Sequence, residues 1–209
     1  EQCFQLSDGL FDLTSGILRR IWQFNGQGRV PNQSQIDALL PYIGWQKLDI
    51  RETSIVVPKN MELDFGGIGK EYAVDKTLKL VSAATSIPTL INFGGDLAVT
   101  SCRTNGDFWQ VGIEHPGFEN NATAVIAIRR GALATSGDAK RFIQHKGKRY
   151  SHILNAKTGW PISDAPRSIT VAAEHCIEAG LLSSLAMLQG KQAQQFLLEQ
   201  EVKHWLVPS

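Results

Sequence analysis

Cysteine is scarce: Cys3, Cys102 and Cys176 stand far apart along 209 residues. They form no CxxC pair and no Cys/His spacing of the zinc-finger kind, which argues against a structural zinc site. The odd count argues against a disulfide framework. Long hydrophobic runs are missing as well, and no stretch approaches the roughly 20 apolar residues of a membrane-spanning helix. Charge of one sign does not accumulate: 21 Lys and Arg balance 20 Asp and Glu, for a formal net charge of +1. Nothing here builds the basic face or stripe that a nucleic acid requires. The dinucleotide pattern GxGxxG and the P-loop GxxxxGK[ST] are both absent. Ser136 lacks the GxSxG frame of a serine hydrolase. The chain opens at Glu1 without a methionine. A processed or truncated product is therefore expected, with any targeting segment outside it.

What is present is enough apolar residue, 43% of the chain, to fill a real core in one domain or two small lobes. Thr14 or Ser15 can cap a short helix carrying Ile17, Leu18, Ile21 and Trp22, and Ser34 a second one that Pro41 stops. Residues 45–50, 53–57 and 61–65 read as strands. After Gly66-Gly67-Ile68-Gly69-Lys70 a helix is expected, with Ala73, Val74, Leu78 and Val81 on one face. Strands follow at 89–93, 97–101, 108–114, 124–129 and 132–135. Lys146-Gly147 is a hairpin signal between 141–145 and 149–154. A strand at 168–172 leads to an apolar helix over 177–188, which Gly190 closes. A helix over 192–200 and a strand over 203–207 end the chain. Strands outnumber helices and short turns join most of them, which predicts an α+β fold with largely antiparallel sheets and packed helices.

The chemistry gathers in few places. Residues 133–162, LATSGDAKRFIQHKGKRYSHILNAKTGWPI, hold hydroxyls, a carboxylate, basic residues and His152 within a few turns of chain. His152 can act as a general base near neutral pH. The Gly66–Lys70 turn precedes a helix start, where outward-pointing amides carry partial positive charge and suit a phosphate. Taken alone, it serves equally as a tight strand–helix turn. Gly94-Gly95-Asp96 is by itself a routine hairpin turn.

In order along the chain, LDFGGIGKEYAVDKTLKLV, INFGGDLAVTS, WQVGIEHP and ALATSGDAKRF…GKRYSHILNAKTGWPI…SITVAA resemble the ApbE-type flavin transferases. The opening SDGLFDLTSGILRRIWQF resembles that family's interior. The resemblance covers nearly all of the chain, and the ordered set is far more specific than any one motif. It implies a two-lobed, T-fold-like α+β domain over residues 1–209 with FAD in the cleft between the lobes. The implied activity is FAD- and Mg²⁺-dependent transfer of FMN to a threonine hydroxyl of a target protein, with release of AMP. Implied partners are FAD and a flavin-bearing redox subunit that offers the threonine. The implied location is the bacterial periplasm or a membrane-anchored exported state. Carried over by position, His152 is the catalytic base. Gly66, Gly67, Lys70, Asp75, Gly94, Gly95, Asp96, Thr135, Ser136, Gly137 and Asp138 lie at the flavin nucleotide. The metal falls to the Gly69 carbonyl and to an Asp and a Thr four residues apart on the late helix.

The chain departs from the family pattern in places that matter. The late helix reads Ala179-Gly180-Leu181-Leu182-Ser183-Ser184, so Ser184 keeps a hydroxyl while Gly180 stands where the metal carboxylate is expected. Mg²⁺ usually needs one or two carboxylates beside the phosphates. Glu178 is two residues away, off that helical face, and is not expected to substitute. Lys70-Glu71-Tyr72 replaces the usual Lys-Gly-Tyr and adds a negative charge near the phosphate turn. After His152-Ile153, Asn155-Ala156 replaces Asp-Pro. Family members also carry an N-terminal portion, on the order of a hundred residues or fewer by domain-size norms, that is not in this chain. The alternative expectation is therefore an inactive flavin- or partner-binding relative that has lost the metal carboxylate.

Overall fold

A computed structural model describes residues 1–25, 28–115, 118–138 and 141–209. The elements run α1 (Gln2–Leu6), α2 (Gln33–Asp37), β1 (Asp49–Ile50), β2 (Ile55–Val56), α3 (Gly69–Ala84), β3 (Leu90–Phe93), β4 (Asp96–Val99), β5 (Trp109–His115) and β6 (Phe118–Ile128). They continue with β7 (Gly131–Gly137), β8 (Phe142–His145), β9 (Lys148–Ser151), β10 (Ser168–Ala173), α4 (Cys176–Leu188), α5 (Ala193–Glu199) and β11 (Lys203–Val207). The chain divides into two compact units, each made of two separate segments: Glu1–Phe65 with Lys140–Ser163, and Gly66–Ala139 with Asp164–Ser209.

The second unit holds a five-stranded antiparallel sheet in the order β11-β10-β7-β4-β3. Helix α4 lies against β7 and β10, α3 lies against β4 and β3, and the two helices touch each other. Side chains alternate between the faces of a strand, and this period sorts the sheet. Leu97, Val99 and Leu133 form one apolar cluster with Ile128 of the β5-β6 hairpin. The intervening Ala98, Ala132 and Ala134 are buried on the opposite face, where small side chains let the helices approach. The turn from β3 to β4 is Gly94-Gly95, with φ of +67° and +102°. Positive φ at both central residues is what a tight two-residue hairpin demands.

The first unit packs Ile17, Leu18, Trp22, Ile36, Ile43, Ile143 and Ala156 into a core of its own. The Trp22 indole donates to the Gly159 carbonyl at 2.8 Å. Gly159 has φ +71°, and a Cβ there would meet Ile36 at 2.5 Å, so both backbone and space call for glycine.

Several local expectations shift. The segment after Ser15 is a 3-10 turn, Gly16–Arg20. Asn32, not Ser34, caps α2, in a reciprocal capping box with Gln35. Residues 45–47 form a 3-10 turn, which leaves only Asp49–Ile50 to pair with Ile55–Val56. The strand expected at 61–65 reduces to a single bridge between Ser15 and Glu62. These segments alternate correctly but lack neighbouring strands to complete their hydrogen bonds, so pairing limits them.

Candidate functional site

The second unit concentrates polar groups around the adjacent strands β4 and β7 on its helix-covered face. Gly66–Ile68 form the turn before α3, and Gly69 is the first residue of that helix. The N-cap, Ile68, has no side-chain oxygen to offer and makes no side-chain cap. Lys70 reaches Asp96, at the start of β4, in an ion pair that is buried on the Asp96 side, where exposure is 2%, and half-exposed on the lysine side. The other Asp96 oxygen accepts the Thr135 amide at 3.1 Å. Asp96 thus ties α3 and β7 together.

The Thr135-Ser136-Gly137-Asp138 run does not present its side chains together. Strand alternation sends Thr135 to the face where its hydroxyl meets that of Thr170 at 2.8 Å. Ser136 turns to the helix face and shares hydrogen bonds with Ser183 at 2.8 Å and Ser184 at 3.0 Å, both on α4. At Gly137 a Cβ would meet the Arg167 carbonyl at 2.6 Å. Asp138, buried, accepts from Arg167 at 2.9 Å. Gly94 and Gly95 have open space where a Cβ would stand. The Gly95 amide donates to Asn92 at 2.8 Å.

Asp75 has a task that its sequence position did not reveal. Its two carboxylate oxygens accept the backbone N–H groups of Cys176 at 2.8 Å and Ile177 at 2.9 Å. The N-cap of α4, His175, makes no side-chain cap. Asp75 supplies it from α3.

Glu71 reads in the sequence only as an added negative charge near the phosphate turn. It is 5% exposed, and its Oε2 has no hydrogen-bond partner. A Cβ added at Gly180 would lie 2.4 Å from the Glu71 Cγ and 3.0 Å from its Oε1. The glutamate of α3 therefore fills the space that a side chain at position 180 of α4 would take. Burial first, and the neighbouring Asp96 next among the raising causes, push its pKa above the ordinary carboxylate value. A signal was present in the sequence: Glu71 precedes Val74 by three residues, which puts it on the buried face of α3. Glu178 is exposed. Among the described residues, no three His, Cys, Asp or Glu side chains are grouped to hold a metal ion.

His152 belongs to the first unit, following β9. Its amide donates to the Arg141 carbonyl at 3.2 Å, and its Nδ1 lies 3.2 Å from the same oxygen. A carbonyl only accepts, so Nδ1 is the donor in this contact. The ring meets Phe24 edge-on at 6.3 Å, beside the stacked Trp22–Phe24 pair.

A five-stranded antiparallel sheet backed by two helices, with a glycine turn opening one helix beside an ion pair whose aspartate is buried, makes an α+β domain. The model of the ApbE family matches residues 1–206, and the chain belongs to that family. The FAD:protein FMN transferase of Salmonella typhimurium is 29% identical over 204 residues, covering 93% of this chain. That of Vibrio cholerae is 28% identical over 194 residues, covering 90%. The chain spans 58% of the length of each of these relatives. Among solved structures, the ApbE protein of Thermotoga maritima superposes with a TM-score of 0.88 at 28% identity, over 99% of this chain and 70% of that one. The Pseudomonas stutzeri flavinyl transferase ApbE, in its apo form, gives 0.86 at 29% identity, over 100% and 66%.

Proposed function

We propose that this chain takes part in transfer of the FMN group of FAD to a threonine hydroxyl of an acceptor protein. The threonine oxygen attacks the FMN phosphorus, and a new phosphoester bond forms. The P–O–P bond to the adenylate breaks and AMP leaves. His152 accepts the hydroxyl proton at Nε2, while Nδ1 donates to the Arg141 carbonyl. The α3 amides behind Gly66–Gly69, together with Lys70, offer positive charge to the pyrophosphate. The observation that carries this reading is the start of α3 behind the glycine turn, where Ile68 makes no side-chain cap, in a chain whose family model match spans residues 1–206. The relatives' names support the same chemistry.

Mg²⁺, which the resemblance implies, would supply charge neutralisation of the transferring phosphates. The Gly69 carbonyl and the Ser184 hydroxyl are candidate donors, and a carboxylate from somewhere other than position 180 has to complete the set. The orphaned Oε2 of Glu71 makes the donor chemistry of this face compatible with a hard cation. The acceptor belongs to the class of flavin-bearing redox subunits, and an exported, envelope-facing location goes with it. A second reading, an inactive flavin- or partner-binding relative, rests on Gly180.

The test is incubation of the chain with FAD, Mg²⁺ and a threonine-bearing acceptor protein, scoring AMP release and covalent flavin fluorescence. Turnover is expected to vanish in His152→Ala with the fold unchanged. Unchanged turnover in that variant removes His152 as the base. FAD binding without turnover favours the second reading.

A further inference from the structure

Glu71 is the buried group that the chemistry above does not use. A carboxylate that is 5% exposed, with one oxygen unpartnered, is costly unless something meets it. The nearest cation, Lys70, is already paired with Asp96, and Asp96 brings a second carboxylate to the same spot. Two carboxyl groups thus face one lysine on the inside of a helix–sheet interface.

The room it occupies is not accidental either. Gly180 on α4 is buried, and its missing side chain is what admits Glu71: a Cβ at 180 would come within 2.4 Å of the Glu71 Cγ. Position 184 follows one helical turn later on the same face of α4, where Ser184 and Ser183 converge on Ser136. An oxygen-only set of a carboxylate and hydroxyls, next to a helix start suited to phosphates, matches a hard divalent cation that takes its remaining ligands from water and phosphate.

We infer that Glu71 is a ligand for a divalent cation, its carboxylate delivered from α3 into the space above Gly180 so that positions 71 and 180 together serve one cation site. This deepens the flavin-transfer reading and rests on it for the identity of the phosphate.

The experiment follows Mn²⁺ uptake through loss of the free-ion EPR signal, on the whole chain, once with FAD and once with inorganic pyrophosphate. Wild type is compared with the near-isosteric Glu71→Gln and with the double variant Glu71→Gly/Gly180→Asp, which moves the carboxylate to α4. Circular dichroism melts verify that each is folded. FAD affinity is measured separately by fluorescence quenching in EDTA. Wild type should take up Mn²⁺, and Glu71→Gln should weaken it by about tenfold or more. The folded double variant should recover most of the uptake. Undiminished uptake in Glu71→Gln, absence of uptake in wild type with both phosphate sources, or a folded double variant that takes none, each overturns the proposal. Glu71-dependent uptake with pyrophosphate, in a chain that fails to quench FAD fluorescence, overturns the flavin reading and leaves Glu71 a ligand. FAD binding with Mn²⁺ uptake indifferent to Glu71 does the reverse.

Discussion

Removing the Asp75 carboxylate should loosen α4 from a distance of about a hundred residues in sequence. Helix α4 runs from Cys176 to Leu188, buries eight of its residues, and has no side-chain cap of its own at His175. Its first two amides are held by the two oxygens of Asp75, at 2.8 and 2.9 Å. Loss of an N-cap costs about 1 kcal/mol and up to about 2. The charge on a helix N-terminus adds roughly 0.3–1 kcal/mol. Asp75→Ala should therefore destabilise the chain by about 1–3 kcal/mol. Asp75→Asn, which keeps one acceptor oxygen but no charge, should cost about 1 kcal/mol. Urea unfolding followed by circular dichroism is the assay, and the midpoint should fall while the m-value stays constant. A loss under about 0.5 kcal/mol for Asp75→Ala, below the smallest typical cap effect, would refute the capping argument. A loss of FAD affinity without loss of stability would instead return Asp75 to the flavin nucleotide, where sequence resemblance put it.

Further outcomes follow from the same contacts. Gly180→Asp alone should cost about 1–3 kcal/mol by overpacking against Glu71, whose Cγ stands 2.4 Å from the new Cβ; thermal melts should show the loss relieved when Glu71→Gly is added. Cys176 is fully buried, and burial first, then Asp96, Asp75 and Glu71, raises its pKa well above that of a free thiol. In the folded protein a thiol-reactive dye at pH 8 should label Cys3 and Cys102, which are partly exposed, and reach Cys176 only after unfolding. Equal native labelling of all three, read by peptide mass spectrometry, would contradict that burial. Trp22→Phe removes the donor to the Gly159 carbonyl and part of a buried ring, and should cost about 2 kcal/mol in urea unfolding; a neutral result would mean that this hydrogen bond contributes nothing net.

Much was legible in the chain itself. Periodicity marked the presence and apolar face of α3, and the extent of α4 as 177–188 against the observed Cys176–Leu188. Turn chemistry marked Gly94-Gly95 and Lys146-Gly147, because positive φ restricts the residues that fit there. The ordered motifs placed the family, and the match over residues 1–206 agrees. Local pattern also put Thr135, Ser136 and Asp138 together as one candidate group.

Tertiary structure alone decided what those groups do. Alternation along β7 separates Thr135 from Ser136, sending one to Thr170 and the other to the serines of α4. Asp75 became a cap for α4 only because α3 lies beside that helix. Glu71 and Gly180 looked like two unrelated departures, an added charge and a lost ligand. They are one event in space, since the side chain of the first fills the room left by the second. The sequence by itself determined which residues are apolar, which turns are tight and which family the chain resembles, because those depend on neighbours a few positions away. Which carboxylate faces which helix depends on packing between segments about a hundred residues apart, and only the folded chain brings those together.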